Sequence, residues 1–134
     1  MKKLLFLSCA LALAACSSAK MPSDLNDEKV FFAFDSAEIT PEMSKNLQGQ
    51  ALYMKKHPDV NITMEGHCDE RGSTEYNLAL GALRAGNAAH VLIKDGVEPS
   101  RIKTISYGKN KPQYFGTGEA VWAKNRNATT KVNK

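Results

Sequence analysis

Around residues 60 to 96 the apolar period changes from two to about 3.6 across one short glycine-containing stretch, which forces a strand to be followed by a helix. Val60, Ile62 and Met64 alternate with Asn61, Thr63 and Glu65, and Gly66 marks the end region of that strand. Ser73-Thr74 then caps a longer helix with Tyr76, Leu80, Leu83, Val91 and Leu92 on or near one face, stopped by Asp95-Gly96. Gly81 and Gly86 each weaken that helix by about 1 kcal/mol relative to alanine, and their presence predicts close packing.

The same order occurs upstream. Val30-Phe31-Phe32-Ala33-Phe34 reads as a buried strand that stops at Asp35-Ser36. Thr40-Pro41 offers an N-cap with proline in the first turn, and Met43, Leu47, Ala51 and Met54 recur at helical spacing until His57-Pro58. Downstream, Ile105 and Tyr107 between polar neighbours give a third strand, and the stretch around Pro112, Gly116 and Gly118 gives a loop. Ala120 to Arg126 predicts a short helix. Ala128, Thr130 and Val132 form a weakly alternating last strand, the least defined element because its surroundings are polar. The expected class is α/β, more narrowly α+β, in the order βαβαβ(α)β: a mixed sheet of about four strands with both long helices on one face.

The ends of the chain are different in kind. Met1-Lys2-Lys3, an apolar stretch from Leu4 to Ala15 and then Cys16 follow the charged, apolar and small-residue order of an export signal. The apolar stretch falls short of the roughly 20 residues a spanning helix needs. Leu13-Ala14-Ala15-Cys16 resembles the lipobox of bacterial lipoproteins, which implies a signal peptide at 1–15, lipid on Cys16, and a polar, flexible tether at 16–29 ahead of one domain at 30–134. An ordinary secretory signal with a chance cysteine at its cut site is the alternative. Removing residues 1–15 takes Lys2 and Lys3 from the 18 basic residues and none from the 14 acids. The remaining charge of about +2 argues nothing for nucleic acid. Cys68 is then left without a partner for an internal disulfide.

The densest chemistry lies in Gly66-His67-Cys68-Asp69-Glu70-Arg71-Gly72 and the helix behind it. His67 and Cys68 are adjacent on a strand and point to opposite faces, which argues against a thiol hydrolase. No second cluster completes a metal site, so neither catalysis, metal nor cofactor is expected. Taken by itself, Asp69 is open to a turn-capping role and Arg84 to a surface ion pair worth about 0 to 1 kcal/mol.

That segment, with Glu75-Tyr76-Asn77-Leu78-Ala79-Leu80-Gly81, Arg84-Ala85, Phe34-Asp35-Ser36, Ile105-Ser106-Tyr107-Gly108 and Asn125-Arg126, closely resembles the OmpA-like peptidoglycan-binding domain family, nearest to its Pal-like lipoprotein branch. The resemblance implies non-covalent capture of the diaminopimelate in the peptidoglycan stem peptide. Asp69 and Arg84 fall on the family's main ligand pair, with Asp35, Asn77 and Leu80 lining the site and Phe34 beside it. Such a residue is a zwitterion: Asp69 would accept from its ammonium and Arg84 would clamp its carboxylate with paired hydrogen bonds. Truncating either is then expected to weaken binding with the fold intact. Asn77 and Arg126 could equally tie the backbone together. The resemblance further implies an outer-membrane lipoprotein facing the periplasm, a Tol-Pal-type envelope system and a TolB-like periplasmic partner. An accessory lipoprotein of a secretion or motility assembly is the alternative. Ala82, Leu83, Gly86 and Asn127 depart from the family pattern.

Overall fold

The computed structural model describes residues 19–134, so Cys16 and the expected signal segment lie outside the described residues. Eight elements follow one another: β1 (Lys29–Phe31), α1 (Pro41–Lys56), β2 (Ile62–His67), α2 (Thr74–Lys94), a 3-10 turn (Pro99–Arg101), β3 (Ile102–Gly108), α3 (Glu119–Asn125) and β4 (Asn127–Val132). They build one four-stranded sheet in the order β1-β4-β2-β3. β3 runs parallel to β2, and β4 runs antiparallel to both β1 and β2. The first strands therefore share a direction, as expected, with β4 inserted between two of them.

Thr40 and Ser73 cap the long helices: their side-chain oxygens accept from the amides of Met43 and Tyr76 at 3.2 and 3.1 Å. The core lies between these helices and the sheet, with Leu47, Ala51 and Met54 of α1 and Ala85, Ala88 and Leu92 of α2 against Ile62, Met64 and Ala128. α2 faces the core with small residues, while Tyr76 and Leu83, expected on that face, stand at 52% and 59% exposure. The reason is contact distance. A Cβ at Gly66 would lie 1.7 Å from the Gly81 carbonyl oxygen, so strand and helix meet backbone to backbone. Gly86 was expected to serve the same purpose, yet a Cβ there would meet nothing within 4 Å.

Three further expectations need correction. The aromatic strand ends at Phe31 instead of Phe34: Phe32 is buried, but the chain then turns out of the sheet, with Asp35 at φ 53° and Phe34 60% exposed. The stretch expected as tether is folded onto the domain from Leu25, which is fully buried in the core. Asp27 donates its amide to Thr130 O and Thr130 donates to Glu28 O, both at 2.8 Å, extending the β1 edge backward. The last strand, expected to be the least defined, is central. Asn127, Thr129 and Thr130 are fully buried there, and Thr130 Oγ1 donates to Gln50 Oε1 of α1 at 2.5 Å.

Candidate functional site

The segments after β1 and after β2 meet the first turns of α2 at a cleft of about 250 Å³. Phe34, Asp35, Asp69, Asn77, Leu80 and Arg84, the residues expected at the site, all line it, together with Arg71 and Tyr76. Gly108, at φ 52°, permits this closure: a Cβ there would lie 2.8 Å from the Leu78 amide.

Arg84 reaches the cleft floor from within the protein, at 1% exposure. Its guanidinium donates from Nε to Ser36 O at 2.9 Å, from Nη1 to His67 O at 3.0 Å and from Nη2 to Ala33 O at 3.2 Å. It therefore pins the loop after β1 to the end of β2. Three of its five N–H donors are spent on backbone carbonyls, and its guanidinium also interacts with the Cys68 sulfur. Burial holds its pKa below the ordinary arginine value, an effect that the nearby Cys68 and Asp69 only partly offset.

Asp69 is 4% exposed and closely bonded. The Arg71 fork donates to it from Nε to Oδ1 at 3.2 Å and from Nη2 to Oδ2 at 2.9 Å, and the Arg71 amide adds a bond to Oδ1 at 3.0 Å. Arg126 Nη1 stands 3.6 Å from Oδ2. Burial alone would raise the carboxyl's pKa, but the hydrogen bonds from Arg71 and the charges of Arg71 and Arg126 bring it below the usual aspartate value. The Arg71 guanidinium lies between two rings, with its carbon 4.1 Å from the centroid of Phe34 and 4.1 Å from that of Trp122. Trp122 in turn donates its indole N–H to Glu70 Oε1 at 2.9 Å.

The remaining members mostly hold backbone in place. Asn77 donates from Nδ2 to Arg71 O at 2.8 Å and to Ser73 O at 2.9 Å, fixing the loop that carries Asp69. Tyr76 donates its hydroxyl to Asp35 and so links helix to loop across the cleft wall. Arg126 donates to Phe32 O at 2.9 Å and to Glu119 at 2.7 Å. The Cys68 thiol donates to Asn77 O at 3.3 Å, and burial pushes its pKa up. His67 turns away to Glu65 at 3.1 Å, so its imidazole is engaged there and not with that thiol. No group of three or more His, Cys, Asp or Glu side chains is placed to hold a metal among the described residues.

Sequence reasoning gave Arg71 no role and placed Tyr76 on the helix face without a part in the site, although both stand in the motif it singled out. Their signal was positional: Arg71 lies two residues beyond Asp69, close enough to fold back on it.

A mixed sheet of this order with a cleft at its loop end is the architecture of a known class, and the chain belongs to the OmpA family, whose model matches residues 31–126. Within it, the chain is 40% identical to the peptidoglycan-associated lipoprotein of Agrobacterium fabrum over 90% of its own length and 81% of that protein. It is 37% identical to the peptidoglycan-associated lipoprotein of Haemophilus influenzae over 95% of this chain and 94% of the relative. The crystal structure of the peptidoglycan-associated lipoprotein from Burkholderia pseudomallei superposes with a TM-score of 0.77 at 40% identity, covering 80% of this chain and 91% of that one.

Proposed function

We propose that this protein is a lipid-anchored envelope protein that holds peptidoglycan non-covalently by gripping the diaminopimelate of a stem peptide in the cleft between Asp69 and Arg84. It is a binding protein and not an enzyme. Its similarity to peptidoglycan-associated lipoproteins over nine-tenths of the chain supports the envelope role. The observation that carries the site is the convergence of Phe34, Asp35, Asp69, Asn77, Leu80 and Arg84 on one cleft. The free end of diaminopimelate bears an ammonium and a carboxylate on one carbon. In the cleft an anion and a cation are offered at fixed positions: Asp69 accepts from the ammonium, and Arg84 takes the carboxylate. Phe34 and Leu80 cover the methylenes.

By the same reading Cys16 carries the lipid and anchors the protein at the periplasmic face of the outer membrane. There it works in a Tol-Pal-type system with a TolB-like partner. Mass spectrometry of the membrane fraction tests the anchor, because an unmodified Cys16 would end that part of the reading. Pull-down on purified sacculi tests the cleft: free diaminopimelate should compete, and Asp69→Asn should release the protein while it remains folded. Undiminished retention of Asp69→Asn would place the ligand elsewhere.

A further inference from the structure

The carboxylate of Asp69 is already engaged within the chain. Oδ1 accepts from both the amide and Nε of Arg71, and Oδ2 accepts from Nη2 at 2.9 Å with Arg126 at 3.6 Å. A ligand ammonium thus meets an acceptor whose outward side is covered by a guanidinium. Of the two arginines, only Arg71 can yield. Its side chain is 33% exposed against 7% for Arg126, which is also held by Phe32 O and Glu119.

Arg71 also has somewhere to go. Its guanidinium carbon lies 4.1 Å from the ring centroids of both Phe34 and Trp122, so a small swing of the group can keep both ring contacts. Glu119 Oε2 already lies 3.9 Å from the same Nη2 that serves Asp69, and the charge of Glu70 acts on the same guanidinium. The amide of Arg71 holds Asp69 independently of the side chain, so the loop need not move.

We propose that Arg71 gates the cleft: an incoming primary ammonium takes Asp69 by displacing the Arg71 fork, which turns within its aromatic slot toward Glu119. This rests on the reading of the cleft as a site for a zwitterionic side chain. Charge is conserved in the exchange, since one cation replaces another on Asp69 and the displaced one is received by an exposed acid. The gate is therefore a competitor for the ligand as well as a lid, and it selects for a compact ammonium that fits beneath the displaced fork.

Trp122 is the protein's single tryptophan and touches the gate, so its emission reports the exchange. The experiment titrates the full protein in detergent with a synthetic tetrapeptide stem containing meso-diaminopimelate, following both affinity and Trp122 emission. Arg71→Met keeps an apolar side chain in the slot and removes the competitor. It should bind the stem at least five times tighter and lose the emission change seen in the parent. Glu119→Gln should weaken binding severalfold in the parent and have no effect beside Arg71→Met. Parent binding with an equal or weaker Kd in a folded Arg71→Met protein overturns the gate. If neither protein binds the stem, the cleft reading itself falls.

Discussion

Replacing Arg84 with alanine separates two roles that its sequence position alone does not reveal, because the guanidinium is both a wall of the cleft and a cross-tie of the fold. The bond to His67 O is fully buried, and a charged donor lost there costs about 1.5 to 3 kcal/mol. Those to Ser36 O and Ala33 O are part-buried, so water can replace them at roughly 0.5 to 1.5 kcal/mol each. Losing the packed aliphatic stem adds about 1 kcal/mol. After relaxation the total falls at about 3 to 5 kcal/mol, a large share of the roughly 5 to 15 kcal/mol that holds a domain together.

The protein should remain folded at 25 °C, with a melting temperature lower by about 12 to 20 °C at roughly 4 °C per kcal/mol. Urea unfolding followed by far-ultraviolet circular dichroism measures this directly. Arg84→Lys should recover part of the loss, since an ammonium can satisfy one or two of the carbonyls but not the splayed set. Both truncated proteins should then stay folded, with the smaller loss of stability for Asp69, whose principal partner Arg71 is part-exposed. An Arg84→Ala protein within 1 kcal/mol of the parent would refute this reasoning, because the carbonyls it serves would not depend on it.

Acid should reveal Asp69. Its folded pKa is lowered, so the unfolded chain binds more protons in the acid range: the contribution is whole above the unfolded value of about 3.9 and is lost as pH falls through the folded one. Urea midpoints at stepped pH should show this loss, and Asp69→Asn should flatten it. Gly66→Ala should fail to fold or lose several kcal/mol by the clash with Gly81 O, whereas Gly86→Ala should gain up to about 1 kcal/mol from helix propensity; thermal melts separate the two. Leu25→Ala should cost about 2 to 5 kcal/mol in urea unfolding, as for any buried leucine, and no loss would mean that the segment before β1 is a tether after all.

The legible parts of this protein are those where one stretch of chain carries its own periodicity. β2 and the two long helices follow directly from Val60 to Met64, Met43 to Met54 and the caps at Thr40 and Ser73. β4 was expected as the last strand, but its central place was not legible because its buried face is polar: Thr130 finds its acceptor on Gln50 and Asn127 finds Gln113, partners that only the assembled fold supplies. Leu25 escaped because a single apolar residue between Asp24 and Asn26 has no period. Phe34 misled because an aromatic run looks the same whether its last ring enters the core or stands beside a cleft. The cleft lining was legible through family resemblance. Its internal bonding was not, since that depends on how one loop folds back on itself.

That bonding determines what kind of binding site this is. Arg84 holds the first loop to the second strand, Arg126 holds Phe32 O, and Asn77 holds the loop that carries Asp69. Each long polar side chain is spent on carbonyls that loops would otherwise leave to water, so the cleft keeps its shape before any ligand arrives and little ordering cost remains at binding. Within this frame Arg71 is the exception, since its guanidinium bonds side chains rather than backbone and is part-exposed. Rearrangement on binding should therefore be confined to that one side chain and its aromatic slot. Amide exchange with and without the diaminopimelate stem checks this. Protection should rise modestly in the loop at 68–73 and remain unchanged in β4 and α1, and a ligand effect spread across the sheet would mean that the arginine ties do not preorganise the cleft.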